Sequence, residues 1–132
     1  MIAEVLSAAR ARIERYTPAD AAKADALIVD LRCEDSRRRD GIVPGSVHVP
    51  RSVLEWRADP TSGWSNPSLA GRKLILMCDH GYSSSLAAIG LLELAVHAAE
   101  LVGGFEAWAA AGLPTAPAPE PGPGLPGMGG PQ

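Results

Sequence analysis

Beyond Lys73 the chain has no basic residue: all 12 Lys and Arg lie at or before that position, and Asp79, Glu93, Glu100, Glu106 and Glu120 follow it. The basic stripe with interleaved aromatics that nucleic-acid binding requires is missing. The one basic cluster, Arg37-Arg38-Arg39, is flanked by Glu34, Asp35 and Asp40 and reads as a solvated helix face. Aromatics are scarce too: Tyr16, Trp56, Trp64, Tyr82, Phe105 and Trp108 stand against 22 alanines, so the core must be aliphatic and closely packed. Two cysteines make no disulfide framework. No apolar run approaches the roughly 18–20 residues of a membrane span, and Glu4, Arg10 and Arg12 interrupt any export signal. At 132 residues, with 46% hydrophobic and 20% charged, the expectation is one soluble, cytoplasmic domain.

Proline and glycine crowd into one end. Residues 114–132 hold seven of the twelve prolines and five of the fourteen glycines. Such a stretch sustains neither a helix nor a strand ladder, and has too little apolar surface to repay its ordering entropy. It reads as a disordered Pro/Gly-rich tail; its PxxP spacings, Pro114/Pro117 and Pro123/Pro126, lack flanking Lys or Arg.

Residues 1–113 alternate helix and strand. Ile2, Val5, Leu6, Ala9 and Ile13 recur at helical spacing and predict a helix over about residues 2–14. Thr17-Pro18-Ala19-Asp20 supplies an N-cap, a proline at the first helical position and an acid in the first turn, opening a short helix to about Lys23. Ala26–Asp30 and Leu74–Cys78 are apolar runs of the kind that form strands buried on both faces. Val47–Val49 and Ala99–Val102 are shorter strands. Helices are expected from Ser84 to about Val96 and over Phe105–Ala111, the second stopped by Gly112 and kept from restarting by Pro114. Apolar strands alternating with helices predict an α/β fold with a central parallel sheet of four or five strands, helices on both faces.

Ligands of open parallel sheets bind beyond the carboxyl ends of the strands. The most loaded such end is Met77-Cys78-Asp79-His80-Gly81-Tyr82-Ser83-Ser84-Ser85-Leu86. Successive backbone N–H groups in this turn form an anion cradle, and the following helix adds the positive end of its dipole. Both favour a thiolate. Two readings stand side by side: a nucleophilic cysteine beside a small-anion pocket, or a buried cysteine ending a strand above an ordinary serine N-cap. Cys33, after Asp30-Leu31-Arg32, reads as a plain cysteine near the surface, with resolution of a Cys78 persulfide or disulfide as the sharper alternative. His48 alternates with Val47 and Val49 and reads as structural, and Phe105 and Trp108 as core anchors. Cys78-x-His80 lacks a companion pair for zinc. No Gly-rich phosphate loop with Lys is present, and neither metal nor cofactor is implied.

Three segments follow one another in order: Ile28-Val29-Asp30-Leu31-Arg32 with Gly41-Ile42-Val43-Pro44-Gly45-Ser46-Val47-His48-Val49-Pro50; Cys78-x-x-Gly81; and Val102-Gly103-Gly104-Phe105-x-Ala107-Trp108 with Gly112-Leu113-Pro114. Together, over about Thr17 to Pro114, they resemble the D-x-R … G-x-I-P-G-A-x-x-I-P, C-x-x-G and G-G-x-x-A-W … G-x-P segments of the rhodanese-like (sulfurtransferase) domain family. The resemblance implies that Cys78 takes a sulfane sulfur from a small donor (thiosulfate, a persulfide or a polysulfide), carries it as a persulfide, and passes it to a thiol or another acceptor, a protein acceptor included. It also implies that backbone N–H groups from Asp79, His80, Gly81, Tyr82, Ser83 and Ser84 hold the outer sulfur, while Asp30 and Arg32 brace the site. The alternative is a non-catalytic member kept as a regulatory or interaction module.

The loop departs from the family's C-x-x-G-x-R at its sixth position, where Ser83 stands for arginine and removes a fixed positive charge and a forked donor. Asp79 places a negative charge beside the thiol, so thiosulfate is expected to be a poor donor compared with a persulfide or polysulfide. The hydroxyls of Ser83, Ser84 and Ser85 bring hydrogen bonds without charge. Compensation is sought from His80, if protonated, and from Arg51 and Arg57, whose segment follows the second strand; the plainer reading of that segment is a surface helix with Trp56 packed underneath. A phosphatase or arsenate reductase loop needs arginine where this chain has Ser84. A serine-hydrolase elbow needs a later acid and histidine, yet no Asp follows Ser83, and His97 shares a helical face with Glu93.

Overall fold

The computed structural model describes residues 1–120 and 127–131. Along the chain run α1 (Ile2–Arg10), β1 (Arg15–Tyr16), α2 (Pro18–Lys23), β2 (Leu27–Asp30), α3 (Glu34–Asp40), β3 (Val47–His48), α4 (Leu54–Ala58), β4 (Leu74–Met77), α5 (Ser83–Glu93), β5 (Ala98–Leu101), α6 (Gly104–Ala110) and β6 (Gly130–Pro131). The sheet order is β1-β5-β4-β2-β3-β6. The first five strands in that order pair in parallel, as predicted, and β6 lies antiparallel on β3. In the interior β4 sets Met77 opposite Asp30 on one side and Leu76 opposite Glu100 on the other.

Strand side chains divide between the faces with a period of two. Leu27, Val29, Leu74, Leu76 and Ala98 join Leu54 and Ala58 of α4 and Ala87, Ala88 and Leu91 of α5 in one core. Ile28, Ile75, Met77, Ala99 and Leu101 join Ala21 of α2 and Phe105 and Trp108 of α6 in the other. By the same alternation Cys78 and Glu100 turn toward α5, and Asp30 toward α6. Residue parity thus decides which chemistry meets which helix. The start of α2 follows its cap signal: Thr17 Oγ1 accepts the Asp20 N–H at 3.2 Å, with Pro18 in the first turn.

Several expectations change. The first helix ends at Arg10 rather than near residue 14, and its apolar stripe is only partly covered: Ala9 is buried and Leu6 half-buried, while Ile2 and Val5 are exposed. Its main packing partner is α5. Trp56 is exposed rather than packed underneath, because Leu54 and Ala58 already supply the buried side of the short α4. In the basic cluster Arg38 and Arg39 are solvated, but Arg37 is buried against Asp30. The segment from 114 onward was expected to join no ladder. Yet Ile42 and Ala116 exchange N–H···O bonds of 2.8 and 2.9 Å, and Gly130–Pro131 pairs with Val47–His48. Both contacts satisfy backbone groups that an edge such as β3 otherwise leaves open. Residues 121–126 and 132 of the expected tail, with the Pro123/Pro126 spacing, lie outside the described residues.

Candidate active site

Cys78 is the first residue past β4 and is 7% exposed. Gly81, at φ +86°, turns the loop back so that its N–H donates to Cys78 Sγ at 3.1 Å. A Cβ at that position would lie 2.8 Å from Gly103 N, so loop and neighbouring turn meet this closely only through glycine. Gly104, at φ +63°, is packed so tightly that a Cβ would run into the Cys78 carbonyl oxygen. That approach lets the Phe105 N–H donate to Cys78 O at 2.8 Å and the Glu106 N–H to Asp79 O at 3.1 Å. Burial is the largest single influence on the thiol and pushes its pKa up. Hydrogen bonding of the sulfur with the Ser84 hydroxyl and amide, the Ser83 hydroxyl and the Gly81 amide together outweighs it, and the thiol lies below its ordinary value.

Behind the loop sits a group that sequence reasoning missed. Glu100 is fully buried and accepts from Ser84 Oγ at 2.7 Å, Ser85 Oγ at 2.8 Å and Arg15 Nε at 2.6 Å. Arg10, the last residue of α1, donates from Nη2 to Gly81 O at 2.8 Å and from Nε to Ser85 Oγ at 3.1 Å. Its guanidinium lies 6.0 Å from the centroid of the exposed Tyr82 ring. The only local signal was an acid inside an otherwise apolar strand, Ala98-Ala99-Glu100-Leu101; nothing nearby in the chain names its partners.

On the other side of β4, Arg32 donates from Nε to Asp30 Oδ1 at 3.0 Å and from Nη2 to Asp30 Oδ2 at 2.8 Å. The same Nη2 reaches Gly41 O at 2.8 Å, and the guanidinium lies 4.0 Å from the Phe105 ring centroid. Arg37 Nε adds a 3.2 Å bond to Asp30 Oδ2. His48 is buried, with Nε2 2.7 Å from Arg32 O; burial pushes its pKa down. The Asp30–Arg32 pair stands at the neighbouring strand end, and these bonds anchor it to the Gly41 turn and α6 rather than to the cysteine loop.

The expected cations go elsewhere. Arg51 pairs with Glu55 at 3.1 Å and Arg57 donates to Trp64 O at 2.8 Å, so each is engaged within its own segment. His80 is exposed and its Nδ1 lies 2.5 Å from Glu106 Oε2, away from the thiol. Ser84 and Ser85 are buried and direct their hydroxyls at Glu100, whereas Ser83 is exposed. Asp79 and His80 border an open cavity of about 430 Å³ with Arg39, Asp40, Phe105, Glu106 and Ala109. Cys33 is exposed; the hydroxyl of Ser36, 3.5 Å from its sulfur, lowers its pKa. Among the described residues no group of three or more His, Cys, Asp or Glu is placed to hold a metal, and no helix is long and apolar enough to cross a membrane.

A parallel sheet whose inner strand ends in a thiol, capped by a glycine amide at the start of a helix, defines an α/β domain built around a cysteine loop. The rhodanese-like domain family model matches residues 14–111, and the chain belongs to that family. A protein of unknown function from Rhodopseudomonas palustris, described as a possible tyrosine phosphatase, is 35% identical, with a TM-score of 0.81 over 88% of this chain and 94% of its own. A rhodanese-related protein from Thermoplasma volcanium shares the fold at 21% identity and TM-score 0.66, over 78% of this chain and 97% of its own. So does a thiosulfate sulfurtransferase from Pseudomonas aeruginosa, at 24% identity and TM-score 0.64, over 80% of this chain and 20% of its own. No curated protein matches this chain.

Proposed function

We propose that this protein is a sulfurtransferase that carries sulfur as a persulfide on Cys78. The observation behind this reading is the Gly81 N–H donated to Cys78 Sγ at 3.1 Å, in a loop that holds the thiol below its ordinary pKa. The thiolate attacks the outer sulfur of a donor. An Sγ–S bond forms, the donor's S–S bond breaks, and its electron pair leaves with the donor thiolate, or with sulfite when the donor is thiosulfate. Amides of residues 79–84 then stabilise the terminal sulfur anion. An acceptor thiolate, small or on a protein, attacks that sulfur, and Cys78 departs as thiolate. No cofactor is needed for the electrons to balance, and a reducing, cytoplasmic setting suits two free cysteines.

Asp79 beside the thiol and serine at position 83 make a dianionic donor unfavourable, so a persulfide or polysulfide is the preferred donor and thiosulfate a poor one. The Rhodopseudomonas relative's description as a possible tyrosine phosphatase meets an obstacle in this loop. The position that must bring arginine to a phosphoryl group is Ser84, which is buried and donates to Glu100.

Intact-mass analysis after separate exposure to thiosulfate, polysulfide and 3-mercaptopyruvate tests the proposal, with Cys78→Ser and Cys33→Ser variants alongside. The expected result is a gain of one sulfur atom, strongest with polysulfide, that survives Cys33→Ser and disappears in Cys78→Ser. No gain from any donor would leave the domain as a non-catalytic regulatory or interaction module.

A further inference from the structure

We infer that Arg10 and Glu100 are positioning residues that set the charge on Cys78, Arg10 favouring the thiolate in place of a loop arginine and Glu100 opposing it through Ser84. The inference rests on Cys78 being the reactive thiol of the proposed sulfur transfer and adds how its charge is governed.

Three observations carry it. First, α1 lies outside residues 14–111, the part matched to the family, yet its last side chain reaches the cysteine loop. Arg10 binds the carbonyl of Gly81, the residue whose N–H caps the sulfur, and the hydroxyl of Ser85. Its side chain is 30% exposed, so it brings positive charge to the loop at little desolvation cost. Second, the Ser84 hydroxyl has one hydrogen and two neighbours that compete for it: Glu100 Oε2 at 2.7 Å and Cys78 Sγ at 3.4 Å. While Glu100 holds that hydrogen, the Ser84 oxygen accepts from the Cys78 S–H, which is the arrangement of a protonated thiol. A thiolate needs the same hydrogen turned the other way. Third, most charges on the surrounding elements are matched in pairs: Arg15 of β1 with Glu100 of β5, Arg32 with Asp30 on β2, and His80 with Glu106 of α6. Arg10 is shared: its Nε lies 3.8 Å from Glu100 Oε1 while its Nη2 holds the loop carbonyl of Gly81, and Asp79 opposes it from the loop itself.

The test is the rate of iodoacetamide alkylation of Cys78 against pH, in a Cys33→Ser background, with thermal unfolding run on each variant to establish that it is folded. Arg10→Ala is expected to move the profile to higher pH and slow alkylation on its rising limb about threefold, a partly exposed charge being screened by solvent. Arg10→Lys recovers most of the rate, and Glu100→Gln moves the profile to lower pH by a similar factor. A purely structural role would leave Arg10→Lys as slow as Arg10→Ala and would shift the Glu100 variant in the same direction. That pattern, or variant profiles coincident with the parent, overturns the inference. Should Glu100→Gln fail to fold, the Arg10 pair decides alone. Polysulfide added to the same samples separates the two claims. Charge-dependent alkylation without persulfide sinks the sulfur transfer only, and persulfide formation with unshifted profiles sinks the inference only.

Discussion

Asp30 and Glu100 stand on the two strands that flank β4; both are fully buried and both are held by two arginines, yet the two clusters are built differently. The partners of Asp30 are two and seven residues away and are themselves buried. Those of Glu100 come from α1 and β1, with Arg15 85 residues away, and their side chains are 30% and 31% exposed. The first cluster is dry and closed, tied to a backbone carbonyl and an aromatic ring. The second is wetted at its rim and shares two serines with the cysteine loop. A buried ion cluster assembled from near neighbours locks a strand end, while one assembled across the chain joins separate elements to the site they surround.

The largest expected effect is at the dry cluster. Asp30→Ala leaves Arg32 and Arg37 without their shared carboxylate, and should cost about 3–5 kcal/mol in urea unfolding. A loss below about 1 kcal/mol would show that the burial of this cluster carries no energetic weight. Glu100→Ala should cost less, about 1–3 kcal/mol, since Arg10 and Arg15 can turn to water. Equal losses for the two alanine variants would erase the distinction between closed and wetted clusters.

The smallest effect belongs to a surface network outside both clusters. Lys73, first, and His97 hydrogen-bond the Glu14 carboxylate and lower its pKa from 4.5 to about 2, while its side chain is 50% exposed. The folded pKa lies below the unfolded one, so this stabilisation is complete above about pH 4.5 and is lost as pH falls toward 2. Solvent screening holds it to about 0.5–1 kcal/mol. Unfolding free energies of the parent and Glu14→Gln should therefore differ near neutrality and converge in acid. A gap that persists at the acid end would mean that packing, not charge, is responsible.

Where the expectations held, the information was local. The Thr17 cap, the apolar runs of β2 and β4 and the paired glycines at 103 and 104 each express their structural role within a few residues. Two-residue β1 was missed because Arg15 and Tyr16 are too few to display a period. A surface helix with Trp56 underneath is one of two readings of its segment, and Trp56 is exposed because Leu54 and Ala58 already fill that side. Arg51 and Arg57 stand near the loop only by following the second strand in sequence, whereas Arg10, distant in the chain, is carried onto the loop by α1.

The sequence by itself determined the layered α/β architecture, the thiol at the end of an apolar strand, and the absence of arginine from its loop, since strand alternation, turn geometry and side-chain identity are short-range properties. Tertiary structure alone decided which charges meet that thiol. Electrostatic partners are chosen by distance in space, and the packing of α1 on α5 and of β1 on β5 brings Arg10 and Arg15 to a carboxylate at the far end of the domain's sequence.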